Sequence, residues 1–184
     1  MNDVPNARAC HRRLREAIDG EASARNRLML DIYRRHWWGE VTNDIDMIMA
    51  TLPERDVHYR FDGHPFLMGE VVEFFTAAEA RALYQSVIGQ GVNTAGPFEN
   101  ERWAFADWGL VFEATLHGVY YGSMFDADAL GLDPSALYWL SYPSVSLHPM
   151  DVDRKLMLGE IVYSGKPTRI EPVGDDVMKA MIGD

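Results

Sequence analysis

The chain is short of cysteine, of cationic residues and of long apolar runs, and each shortage removes a class of protein. A single cysteine, Cys10, among 184 residues cannot close an internal disulfide, so a reducing, cytoplasmic setting is expected. Lysine and arginine number 17 against 28 aspartates and glutamates, a net charge of −11. No Lys/Arg stripe interleaved with aromatics offsets that repulsion of a phosphate backbone, so nucleic acid is not an expected partner. No segment approaches the roughly 20 apolar residues of a membrane span, and Met1 to Arg15 is charged without an apolar run, unlike a secretory signal. Also missing are an HExxH pair, a multi-cysteine cluster and a G-x-S-x-G elbow around Ser123. Gly89-Gln90-Gly91 follows a helical pattern instead of a strand, and His58 with His64 flanks a turn without a carboxylate at ligand spacing. Neither a metal nor a nucleotide cofactor is expected.

What is present suits one domain over residues 1–184, with 1–11 loosely ordered and 172–184 a tail in which Val177, Met178 and Met181 could dock. Leu14, Ile18, Leu28, Ile32 and Tyr33 predict a long helix from Arg12 to Trp38 that Gly20 bends or splits. Asn43-Asp44 offers an N-cap to a short helix that ends before Pro53, and Val57 to Phe61 alternates as a half-buried strand. Thr76-Ala77-Ala78-Glu79 is a capping box opening a helix with Ala80, Leu83, Tyr84, Val87 and Ile88 on one face. From Glu101 on, aromatic and β-branched residues predict strands over Trp103 to Phe105, Leu110 to His117, Gly118 to Phe125, Leu137 to His148 and Lys155 to Tyr163. Helices first and strands afterwards, without βαβ alternation, argue for an antiparallel α+β fold.

Three segments resemble the NTF2-like superfamily and its SnoaL-like, polyketide cyclase-like branch. They are Tyr33-Arg34-Arg35-His36-Trp37-Trp38 with Asn43 to Leu52, then Leu110-Val111-Phe112-Glu113-Ala114-Thr115-Leu116-His117-Gly118, and Lys155 to Tyr163. The resemblance implies a cone-shaped curved antiparallel sheet wrapped around N-terminal helices, the cystatin-like α+β barrel, with an apolar pocket and a homodimer through the outer sheet face. It further implies a cofactor-independent enzyme doing acid/base chemistry on a hydrophobic small molecule, by cyclisation, isomerisation or dehydration. A non-catalytic small-molecule-binding or protein-interaction module on the same fold is the alternative. The Asp/His pair of the family's dehydratases is missing, because no histidine lies between His64 and His117.

On the strand Leu110 to His117 the side chains alternate, so Glu113, Thr115 and His117 share one face while Leu110, Phe112, Ala114 and Leu116 share the other. If the polar face lines the pocket, Glu113 and His117 are the acid/base candidates. If it faces solvent, they are not. Asp46 is a further acid candidate beside its plainer role at the short helix's start. Tyr33, His36 and Trp37 on the first helix, Tyr59 opposite His58, Trp103, Tyr121, and Glu160 on the late strand are candidate substrate-binding residues, each with a packing or solvated reading beside it. Within the resemblance, Glu160 falls where some SnoaL-like cyclases carry an acidic base.

Overall fold

The computed structural model describes residues 6–64, 70–89 and 95–183. Two helices, α1 (Ala7–Gly20) and α2 (Ala24–Val41), stand where one was an allowed reading. The split follows Gly20: Ser23 restarts the ladder by accepting from the Asn26 amide at 3.3 Å, so a glycine followed by an N-cap outweighs a continuous apolar period. The expectation of a loose segment over 1–11 fails from Ala7 on. Asn6 caps α1 by accepting from the Ala9 amide at 2.8 Å, and Ala7 and Cys10 are buried.

Short-range chemistry sets the next elements. Asp44 accepts from the Met47 amide at 2.9 Å to start α3 (Ile45–Met49). Thr76 and Glu79 exchange amide bonds at 3.2 and 3.1 Å to start α4 (Ala77–Gly89), the reciprocal capping box. Between these helices lie β1 (His58–Asp62) and β2 (Val72–Phe74).

The remainder is sheet with two short helices: β3 (Phe98–Ala106), β4 (Gly109–Tyr121), α5 (Ala127–Leu130), β5 (Leu137–Asp151), β6 (Leu156–Met157), β7 (Gly159–Ser164), β8 (Arg169–Val173) and α6 (Val177–Ile182). The curved, unclosed sheet runs β2-β1-β7-β5-β4-β3, with β6 and β8 also pairing β5. All 13 residues of β4 pair with β5, so β4 continues through His117-Gly118 instead of ending there. β1 runs parallel to β7, a departure from the purely antiparallel expectation. Residues 172–183 form the end of β8 and α6, and Val177 and Met181 pack on Val119 and Trp139.

The core forms where α2 fills the hollow of this sheet. Met29, Ile32, Tyr33, Trp37 and Val41 meet Tyr59, Phe61, Phe98 and Phe112 in one buried cluster. Aromatic edges organise it: Tyr33 meets Trp103 at 5.1 Å and Trp37 meets Phe98 at 5.1 Å between ring centroids, both T-shaped. Among the described residues no helix is long and apolar enough to cross a membrane.

The parallel pair depends on Gly159. Its φ is +131°, and a Cβ there would lie 1.8 Å from the His58 carbonyl oxygen. Gly159→Ala should therefore destabilise the protein by roughly 3 kcal/mol, read as a fall in the urea midpoint. Gly20→Ala, with nothing within 4 Å of the added carbon, should be neutral or stabilising by up to about 1 kcal/mol.

Candidate active site

A cavity of about 80 Å³ opens between α2, α4 and the inner faces of β1, β4, β5 and β7. It offers room for roughly five water-sized groups, enough for the reacting end of a ligand. Phe61, Leu83, Val87, Phe112, Leu116 and Val162 give it apolar walls. Against them stand His36, Glu40, Tyr84, Ser146, His148 and Glu160.

Two periodicities deliver these polar groups. On α2, Tyr33, His36, Trp37 and Glu40 recur at steps of three, one and three, which places all four on the helix face turned to the cavity. On the sheet, parallel pairing sets Glu160 beside Tyr59 and Val162 beside Phe61. Antiparallel pairing sets Val162 beside Ser146, and Glu160 Oε1 lies 4.0 Å from His148 Nε2. The His36 ring is held at both ends, with Nδ1 2.6 Å from Thr51 Oγ1 and Nε2 3.0 Å from the Tyr84 hydroxyl and 3.3 Å from that of Tyr59. Tyr84 donates to Glu40 Oε1 at 2.7 Å, and Glu40 lies 3.5 Å from His36 Nε2.

One donor atom each from His36, Glu40 and Glu160 lies within 4.8 Å of the other two, a grouping that could hold a divalent ion. His36 and Glu40 are both already engaged by the Tyr84 hydroxyl, through Nε2 and Oε1. The set therefore reads first as a hydrogen-bonded proton network.

Burial decides the charges. Glu160 has its carboxyl pKa driven well above the ordinary range, chiefly by loss of water and then by the charge of Glu40. Its surroundings favour the protonated, neutral form. Burial pushes His148 down to about 3, with His36 adding to the effect, and pushes His64 down to about 3 as well. Burial therefore disfavours the charged form of both partners in the 4.0 Å contact of His148 with Glu160, although its distance alone would suggest an ion pair. Burial likewise raises the phenols of Tyr33, Tyr59 and Tyr84 well above 10, so all three remain protonated donors.

The three acid/base candidates of the sequence lie elsewhere. Phe112 and Ala114 turn inward because burying apolar groups is favourable, and the period of two then sends Glu113, Thr115 and His117 to the outer face. Glu113 pairs there with Arg102. His117 is buried on that face, stacked on Trp139, 2.8 Å from Ser141 Oγ and 3.2 Å from Glu99. Asp46 is 91% exposed at its side chain and meets Arg81 at 3.4 Å.

Of the substrate-binding candidates, Tyr33, His36, Trp37 and Glu160 line the cavity, and the Tyr59 hydroxyl joins the network behind it. Trp103 stacks on Phe112 at 4.3 Å as core, and Tyr121 packs beside the α6 cluster, away from the cavity. Glu40, Tyr84, Ser146 and His148 were missed. The signal for Glu40 was available in its place four residues after His36. That for Ser146 and His148 was the alternation Ser144-Val145-Ser146-Leu147-His148, read only as a strand.

No protein-family model matches the sequence, and no curated protein does. Solved structures do match. A candidate SnoaL-like polyketide cyclase from Shewanella denitrificans OS-217 aligns with a TM-score of 0.57 at 13% identity, over 74% of this chain and 90% of that one. An NTF2-like protein of unknown function from Burkholderia xenovorans LB400 aligns at 0.50 and 15%, over 84% and 94%. The epoxide hydrolase/cyclase-like enzyme SalBIII, with a role in pyran ring formation in the polyether salinomycin, aligns at 0.52 and 14%, over 79% and 95%. The chain has the NTF2-like α+β fold. At these identities the likeness establishes the fold, and the chemistry rests on this chain's own residues.

A carboxyl whose folded pKa is raised keeps its proton while the unfolded chain loses it. Stability from Glu160 therefore falls as pH rises from its unfolded value toward its folded one, by about 1.4 kcal/mol for each pH unit crossed. Glu160→Gln should remove that slope. Urea midpoints of the two proteins should converge near pH 5 and separate by pH 8, with the variant the more stable.

Proposed function

We propose that this NTF2-like chain is a cofactor-independent acid/base enzyme that moves a proton on the reacting end of an apolar small molecule, by cyclisation, isomerisation or dehydration. The observation that carries this reading is the buried carboxyl of Glu160 within 4.8 Å of Glu40 and His36 in a cavity with apolar walls, where loss of water favours its protonated form. Pairs of titratable groups whose surroundings push them apart in proton affinity are the usual basis of acid/base assignments.

In this reading a substrate carbonyl, hydroxyl or ether oxygen sits against Glu160. Its O–H donates as negative charge develops on that oxygen, and the low dielectric of Phe61, Phe112, Leu116 and Val162 strengthens the bond. Glu40 is the base. The Tyr84 hydroxyl, donating at 2.7 Å, fixes one carboxylate oxygen and leaves the other for a proton taken from carbon or from water. Ring closure is the chemistry named for the epoxide hydrolase/cyclase-like relative of the same fold, which supports a cyclase among the three options. The outer sheet face, with Tyr163 47% exposed near Pro143 and Val145, is the surface for the homodimer in the same proposal.

The test uses carbon acids and epoxides of graded size in D2O, with mass spectrometry following deuterium uptake and product formation. The wild-type protein should exchange or convert at least one apolar member of the panel. Glu160→Gln and Glu40→Gln should each lower that rate by about 100-fold, while Glu113→Gln on the outer face leaves it unchanged. Full activity in Glu160→Gln would overturn the proposal.

A further inference from the structure

Hydrogen-bond directions around His36 can be worked out atom by atom. The Thr51 hydroxyl has one hydrogen, and it donates that hydrogen to the Ile48 carbonyl at 2.6 Å. Its 2.6 Å contact with His36 Nδ1 is then one in which the hydroxyl oxygen accepts. Nδ1 must carry a hydrogen, and only Nε2 is left to gain or lose a proton.

Among the described residues Nε2 has no direct hydrogen-bond partner in a carboxylate, since Glu40 Oε1 is 3.5 Å away, beyond the usual range. The Tyr84 hydroxyl spans that gap, 3.0 Å from Nε2 and 2.7 Å from Glu40 Oε1. The ends of this path differ in access. His36 keeps 2% of its side-chain surface and Glu40 15%. Glu40 and Tyr84 line both the main cavity and a small neighbouring hollow bounded by Asn43, Val87 and Ile88.

We propose that the Tyr84 hydroxyl relays a proton between Glu40, at the accessible end, and the sealed Nε2 of His36, with Thr51 as the positioning residue that confines the exchange to that nitrogen. In one concerted step the proton of the Glu40 carboxylic acid passes to the Tyr84 oxygen while the Tyr84 proton passes to Nε2. Two O–H bonds break, one O–H and one N–H bond form, and the phenol emerges unchanged between a carboxylate and an imidazolium. The reverse step returns the proton. The relay builds on the acid/base reading of this cavity by giving its buried imidazole a proton route that does not pass through bound substrate.

The experiment reads the imidazole itself and needs no substrate. Proton-detected nitrogen-15 spectra of the full chain should show His36 protonated at Nδ1 at every pH where the fold is intact. Thr51→Ser should preserve that pattern, and Thr51→Val should admit the Nε2–H tautomer. Tyr84→Phe, which keeps the ring and removes the hydroxyl, should slow proton exchange at His36 by at least about tenfold. Glu40→Gln should slow it comparably, with an unchanged backbone amide spectrum confirming the fold of each variant. An Nε2–H tautomer in the wild-type protein, or unaltered exchange in folded Tyr84→Phe, overturns the relay. Either result would leave the expectation for Glu160→Gln turnover standing, so the two readings fail separately.

Discussion

Two largely buried carboxyl groups within 4.8 Å of each other cannot both hold a full charge without a penalty, and most of what is distinctive in this protein follows from that constraint. Bringing a carboxylate into low dielectric costs several kcal/mol unless it is paired and hydrogen-bonded. Glu40 meets the requirement with the Tyr84 hydroxyl, and burial shifts Glu160 toward its protonated form. The same cavity thus holds a group ready to give a proton beside a group bonded as an acceptor, and the asymmetry arises from placement alone.

Placement comes from rigid elements. α2 contributes His36 and Glu40 one turn apart, the parallel pair of β1 and β7 contributes Tyr59 and Glu160 as neighbours, and α4 brings Tyr84 across to meet both. Thr51, which follows α3 and is itself tied to the Ile48 carbonyl, is the loop residue that holds one of the central contacts among the described residues. Gly159 matters to this geometry at a distance, because a side chain there would force β7 from β1 and separate Glu160 from Tyr59.

The fold was largely legible because its signals are local: the Thr76 capping box, the Asp44 cap, the aromatic strands of the second half. The site was legible only in part, and the reason lies in the facing of three strands. On β4 the apolar side turns inward, as burial alone would dictate, and Glu113 and His117 are carried out of the cavity. On β5 the same rule fails: Ser144, Ser146 and His148 face in, while Val145 and Leu147 face out. β7 follows β5, with Glu160 inward and Tyr163 outward. Hydrophobic alternation fixes which residues share a face, and it leaves open which face meets the core when the other side of the sheet is also partly covered. His117 illustrates the point from outside. It has a serine and a glutamate at hydrogen-bond distance, yet it lies under Trp139 on the face opposite the cavity.

The inversion on β5 is sustained where inward polar groups find one another. Ser146 meets His148 at 2.8 Å, Tyr84 joins Glu40 to His36, and Thr51 closes the far end of the imidazole. A fully apolar row at these positions would pack without such partners and would be the simpler way to fill a cone. Tyr84, with Glu40, His36 and Tyr59, ties α4, α2 and β1 into one connected network whose members have few alternative arrangements, and Ser146 with His148 forms a separate pair on β5. His148 Nδ1 on β5 and Ser164 Oγ on β7, both buried and without a hydrogen-bond partner among the described residues, are exceptions. A buried donor or acceptor left unmatched is costly to fold around. The other ring nitrogen of His148, Nε2, lies 2.8 Å from Ser146 Oγ and 4.0 Å from Glu160, so the ring beside the proposed proton donor is anchored at Nε2 and unmatched at Nδ1.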